Sequence, residues 1–187
     1  VKEPQFVGSY INDISMHRNR FLCLSSENTI LSEAYEFQNF FATTAKQMLD
    51  SDPINPSVSH NMVGDLYHAV PFNQELLLFS SQNQHKLSSG DVLSGKTAAI
   101  KPLTQYDCNI KAKPVSSGRT VFIGTNNNGF SGLLEYFVND SGEVNDASVI
   151  TSHIPKYIKG EIRQIAVNTD FKTLLIKNDS EKNVLYC

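Results

Sequence analysis

Thr120-Val-Phe-Ile123, Thr125-Asn-Asn-Asn-Gly129 and Leu133-Leu-Glu-Tyr-Phe137 follow one another past the middle of the chain. An apolar run, a turn of Asn and Gly and a second apolar run spell a β-hairpin, because Asn and Gly accept the left-handed backbone of a tight return. The same order occurs elsewhere. Arg20-Phe-Leu-Cys-Leu24, Ser25-Ser-Glu-Asn28 and Thr29-Ile-Leu31 make one case. Glu75-Leu-Leu-Leu-Phe79, Ser80-Ser-Gln-Asn83 and Gln84-His-Lys-Leu87 make another. Thr173-Leu-Leu-Ile176, Asn178-Asp-Ser-Glu-Lys182 and Val184-Leu-Tyr186 make the last. Each predicts a hairpin.

The hairpin centres fall roughly 45 to 55 residues apart, the period of β-propeller blades built from four-stranded sheets. Val58 to His60, Leu66 to Val70, Thr97 to Ile100 and Ile162 to Val167 supply further strands. Many apolar runs are continuous, as in strands buried on both faces. Two stretches break the pattern. Glu33 to Leu49 sets Ala34, Phe37, Phe40, Phe41, Ala45 and Met48 at helical spacing, and Glu143 to Tyr157 reads as a short helical piece broken at Pro155. The expected fold is all-β: a partial β-propeller of about three to four blades with short helical insertions, in a single domain over residues 1–187.

Composition narrows the function. At 187 residues and 40% hydrophobic the chain can bury a sizeable core. Its charge of −3, from 16 basic and 19 acidic residues, does not suit a phosphate-gripping surface. No apolar run approaches the ~20 residues of a membrane helix, so no membrane insertion is expected. Cys23, Cys108 and Cys187 form no Cys-x-x-Cys pair, which leaves out the usual zinc and redox signatures. Cys23, inside Phe21-Leu-Cys-Leu24, reads as a small buried hydrophobe in a reducing compartment. Residue 1 is Val, and the chain reads as an excised piece or a processed product.

Chemistry is sparse. His17, His60, His68, His85 and His153 have no metal-ligand spacing and lie in or beside predicted strands, where a hydrogen-bonded structural role is the simpler reading. Asp50 and Asp52 flank Ser51 ahead of Pro53, a turn arrangement before it is an acid–base pair. Ser131 lacks the spacing of a nucleophile elbow, and Asn139-Asp-Ser-Gly-Glu143 lacks the ladder of a calcium loop. No cofactor is expected. Arg18 and Arg20, two apart in a predicted strand, would project together. Their forks suit carboxylates or phosphates. Asp13, Arg18, Arg20, Glu27 and Asp52 are therefore candidate structural or inter-subunit contacts, paired internally or across a subunit boundary.

A resemblance joins these pieces. Pro4-Gln-Phe-Val-Gly-Ser-Tyr-Ile-Asn-Asp13, Arg18-Asn-Arg20, Ser26-Glu-Asn28 with Ile30-Leu-Ser32, and Phe37-Gln-Asn-Phe40 come first. Asp52-Pro-Ile54, Ala69-Val-Pro-Phe72, Glu75-Leu-Leu77, Leu103-Thr-Gln-Tyr106 and Thr151-Ser-His-Ile-Pro155 follow in order. From about Pro4 to about Leu175 the chain resembles the nozzle family (tail tubular protein B) of short-tailed bacteriophages. Met16-His17 departs from that family's aromatic-rich strand, and Lys86 stands where an apolar blade residue is usual.

The resemblance implies a structural, non-enzymatic role as an internal segment of a longer nozzle protein. It implies a hexameric ring below the gatekeeper, tail tubular protein A, continuing the channel for genomic DNA, with tail fibre protein attached nearby. It implies residence in the virion tail after assembly in the bacterial host cytoplasm. A slightly acidic wall fits passage of DNA without specific binding. Two other readings share the hairpins. One is a β-propeller protein-binding scaffold. The other is a propeller glycan hydrolase, which needs two carboxylates about 5 to 10 Å apart across a pocket.

Overall fold

The computed structural model describes residues 3–42, 44, 47–56, 64–138 and 145–187. Their regular structure is all strand, arranged in antiparallel sheets. The chain divides into two compact units, residues 1–80 with 84–103, and residues 81–83 with 104–187.

The first unit opens with a three-stranded meander of β1 (Asp13–His17), β2 (Arg20–Ser25) and β3 (Asn28–Leu31). A bridge from Leu31 to Ile54 extends its β3 edge. A four-stranded meander follows: β4 (His68–Phe72), β5 (Glu75–Phe79), β6 (Gln84–Ser88) and β7 (Ala99–Thr104). The connections are tight for local reasons. His17 pairs with Arg20 across Arg18 and Asn19, and Phe72 with Glu75 across Asn73 and Gln74. All four loop residues have positive φ, as a two-residue type I′ turn requires. Leu22, Leu24, Leu31, Ile54, Leu66, Ala69, Leu76 and Leu78 form the core between the sheets. The run Leu76 to Phe79 is buried throughout, as its unbroken apolar character predicts.

The second unit carries β8 (Val115–Ser117), β9 (Thr120–Asn127), β10 (Phe130–Val138), β11 (Asn145–Val149) and β12 (Ile158–Lys159), then the pair β13 (Ile162–Asn168) and β14 (Thr173–Asn178). Asn127 pairs with Phe130 across Asn128 and Gly129, so the strands run further into the Asn-rich stretch than the sequence suggests. One edge of β10 is shared: Leu134 to Val138 pairs with β11 and Phe130 to Ser131 with β12. Thr151 spans the gap, its Oγ1 accepting the Leu133 N–H at 3.0 Å. Ala112, Leu133, Ile158, Ile162, Ile165, Ile176 and Tyr186 make the core.

Three hairpins match the sequence reading, and Leu66 to Val70, Thr97 to Ile100 and Ile162 to Val167 each contribute to a strand. Val58 to His60 lies outside the described residues. In the last hairpin Thr173 to Ile176 pairs instead with β13, and the return is reduced to a bridge between Ile176 and Tyr186. The helical insertions are corrected. Among the described residues of 33–49 the backbone makes turns and a bridge from Glu33 to Glu36, with Tyr35 at φ 66°. Phe37, Phe41 and Met48 stand exposed, so their spacing marks no core face. Within 143–157, Asn145 to Val149 is claimed by the edge of β10.

Gly160 shows how closely the second unit is fitted. Its φ is +70°, and a Cβ there would lie 1.9 Å from Ser180 Oγ and 2.5 Å from Asp179 Oδ1. Gly118 has a similar φ of +58° and open space around it. Gly118→Ala should cost about 1 kcal/mol, the left-handed penalty alone, and Gly160→Ala roughly 3 kcal/mol or more because steric conflict is added. Urea midpoints of the two variants check the difference; equal losses would mean that the Ser180 loop yields freely.

Candidate functional site

The five sequence-predicted residues all fall in the first unit, and the structure gives them different tasks. Arg20 opens β2 and is 2% exposed. Its Nη1 donates to the carbonyl oxygens of Ser32 (2.7 Å), Ser51 (3.1 Å) and Asp52 (2.8 Å). Its Nη2 donates to those of Asp50 (2.7 Å) and Leu93 (3.2 Å). The guanidinium thus clamps main-chain oxygens from three separate segments, using the fork that lysine lacks. Burial pulls its pKa below that of a free arginine, opposed by the charges of Glu33 and Asp52.

Asp52 is 3% exposed, and its Oδ2 accepts the Leu49 N–H at 2.8 Å. That closes the loop whose carbonyls Arg20 holds, so this aspartate acts as a turn former. Asp13 accepts the Ala69 N–H at 2.8 Å and ties β1 to β4. Beside it Asn12 Nδ2 donates to the Leu66 carbonyl at 2.9 Å, a contact that no sequence motif announces. Arg18 lies in the turn rather than in a strand, at φ 45°, and donates to Ser89 Oγ (2.8 Å) and the Gly90 carbonyl (3.2 Å). The two guanidiniums therefore do not share a strand face. Glu27 sits exposed on the β2–β3 turn.

The other polar candidates serve the backbone. Ser131 Oγ donates to the Gly160 carbonyl at 2.7 Å and accepts the Ile162 N–H at 3.2 Å. Asn109, 2% exposed, donates to the Ile162 carbonyl at 2.8 Å. Lys86 pairs with Glu75 at 2.9 Å across the strands β5 and β6, which explains a charge at that strand position. Asn139 to Glu143 and His60 lie outside the described residues. Among the described residues no group of three or more His, Cys, Asp or Glu is placed to hold a metal. Burial pushes the Cys108 thiol up to about 12 and raises that of Cys23, as expected of thiols acting as hydrophobes.

An open cleft of about 340 Å³ in the second unit is lined by apolar groups such as Leu133, Ile154 and Leu174, with Tyr157 and Tyr186. Those two rings meet edge to face at 5.3 Å. Among the described residues no Asp, Glu or His side chain lines it. Like the apolar residues exposed on the first unit (Tyr10, Ile11, Ile14 and Met16), this surface offers contact area.

Such an arrangement, with buried polar groups fastening loops and apolar groups facing outward, defines an all-β structural building block. The chain belongs to the bacteriophage nozzle protein family, whose model matches residues 1–187. The tail tubular protein gp12 of Escherichia phage T7 is 36% identical over 186 residues, 98% of this chain and 23% of that protein. The chain therefore spans less than a quarter of the length of that curated relative.

Arg20→Met should destabilise the chain by roughly 3 kcal/mol or more, because buried carbonyls lose their donors, while Arg18→Ala at the exposed turn should cost under about 1 kcal/mol. Arg20→Lys should recover only part of the loss. Denaturant midpoints at constant slope check this, and equal effects at the two arginines would refute the clamp.

His17, half-buried in β1, has its pKa lowered from 6.5, by burial first and by the Arg18 charge second. A depressed folded-state pKa means that the unfolded chain binds the proton more tightly. The contribution of His17 is thus present above pH 6.5 and is lost as pH falls through the folded value. Wild type should lose more stability than His17→Gln between pH 7 and pH 5; parallel curves would remove His17 from the acid response.

Proposed function

We propose that the chain is a structural segment of a phage tail nozzle, part of a β-propeller platform whose copies form a hexameric ring. The ring continues the DNA-ejection channel below the gatekeeper, tail tubular protein A, with tail fibre protein bound nearby. The match to the nozzle family along all 187 residues carries the reading. The topology supports it. Consecutive antiparallel sheets of two to five strands begin at Asp13, His68, Val115 and Ile162, so a new sheet starts roughly every 50 residues, the repeat of a blade. Both compact units are segments of that platform.

The role is mechanical. A ring of identical subunits needs two different faces that meet around the axis, and rigid stacked sheets supply broad sides for this. A conduit must not grip its cargo. A charge of −3 gives no driving force for counterion release along the duplex. The protein is assembled in the host cytoplasm and carried in the virion tail. It is a wall, not an enzyme.

Cryo-electron microscopy of the full-length nozzle protein mixed with its gatekeeper ring tests the proposal. Six-fold rings capping the gatekeeper, with this segment located in them, are the expected result. A monodisperse monomer that ignores the gatekeeper would overturn it.

A further inference from the structure

Strand β1 is built inside out. Asp13, Ser15 and His17 are half-buried, while Ile14 and Met16 are 56% and 49% exposed. The register explains which surface they belong to. Ile14 lies opposite Cys23, Met16 opposite Phe21, and Cys23 opposite Ile30. Directly opposed residues of antiparallel strands project to the same side, so the five form one continuous apolar face. The other side of this sheet carries Leu22, Leu24 and Leu31 and is part of the core.

That face is covered over only part of its width. Cys23 and Ile30 are each 3% exposed. Phe40 meets Phe21 edge-on at 6.3 Å and Phe6 at 5.1 Å, so the chain's own loops roof β2 and β3. At β1 the cover is incomplete, since Ile14 and Met16 keep about half of their surface exposed. Tyr10 and Ile11, just before the strand, are exposed as well. A sheet with one wet face carries polar residues there. Lone exposed apolar residues are ordinary; a row continuous with a buried sheet face marks a contact surface.

We infer that the outer face of β1 is a docking surface for another segment of the same nozzle polypeptide, a sheet that sets its own apolar side against Ile14 and Met16. This rests on the nozzle reading only in requiring a longer polypeptide. The T7 relative has over three-quarters of its length outside the matched region, which leaves ample chain to supply the partner. A tethered segment meets the face at a high effective concentration, unlike a free copy. The face is also a direct continuation of one that the chain covers by itself, and the five paired residues that define it include no charged side chain, which suits permanent burial rather than a reversible contact.

Peroxide oxidation of methionine, followed peptide by peptide in the full-length nozzle protein, reads the face directly, since attack on the thioether follows exposure. In the isolated native monomer Met16 should oxidise roughly tenfold or more slowly than in the same protein unfolded in urea. Fast oxidation in the monomer with protection only in the assembled ring would assign the face to a second copy and overturn the inference. Fast oxidation in both would leave it open to solvent and overturn it equally. Because protection is read on the monomer, it can hold where ring assembly fails, and the reverse.

Discussion

One buried cation organises the first unit. Arg20 draws the Ser32, Asp50 to Asp52 and Leu93 carbonyls onto a single planar group. None of these segments belongs to a regular strand; the Ser51 carbonyl also accepts the Ala34 N–H at 3.0 Å, and Arg20 supplies the donors for the others. A hydrocarbon at that position would leave several buried acceptors without donors, and a lysine could not span them in one plane. The clamp requires β2 to start where it does. That start depends in turn on the Arg18-Asn19 turn, whose two positive φ values bring β1 back onto β2 in register. Asp52 then holds the loop closed through the Leu49 N–H, so one loop is secured from both its carbonyl and its amide side.

The second unit reaches the same end with neutral groups. Ser131, Asn109 and Thr151 each link segments far apart in sequence by bonding main-chain atoms at Gly160, Ile162 and Leu133. Gly160 permits this because any side chain there would strike the Asp179-Ser180 turn. Exposed ion pairs, Arg163 with Asp179 at 3.1 Å and Lys111 with Glu161, decorate the same corner. Solvent-exposed pairs of this kind contribute little beside the buried hydrogen bonds.

Hairpins were legible because their signals are local. Asn128-Gly129 can be read from composition alone, and the run Leu76 to Phe79 announces burial on both faces. Arg18-Asn19 could not be read that way: an arginine in the left-handed region is tolerated only because β1 and β2 pair on either side of it. The helical spacing in Glu33 to Leu49 failed for the opposite reason. It was a local pattern whose members serve different surfaces: Phe37 and Phe41 are left outside, while Phe40 packs edge-on against Phe6 and Phe21. The role of Arg20 was half legible. Its burial in a tie between segments follows from charge in an apolar strand, but acceptors that are carbonyls rather than carboxylates leave no trace in sequence. The inverted alternation of β1 was visible as Asp-Ile-Ser-Met-His. Nothing local says which side faces the core, because that is fixed by Leu22 and Leu24 on the neighbouring strand.

A channel wall has conflicting needs on the proposed reading. It must be stiff enough to keep its bore, yet it must present little positive charge to passing DNA. Stiffness from surface ion pairs would put cations in reach of phosphates and would weaken with salt. Placing the organising guanidinium inside, on backbone oxygens, avoids both difficulties. The cation is out of solvent, its hydrogen bonds go to neutral carbonyls, and the chain keeps a net charge of −3. The same logic favours apolar contacts such as the β1 face for joining one sheet to the next, since these too are indifferent to ionic strength and to the duplex.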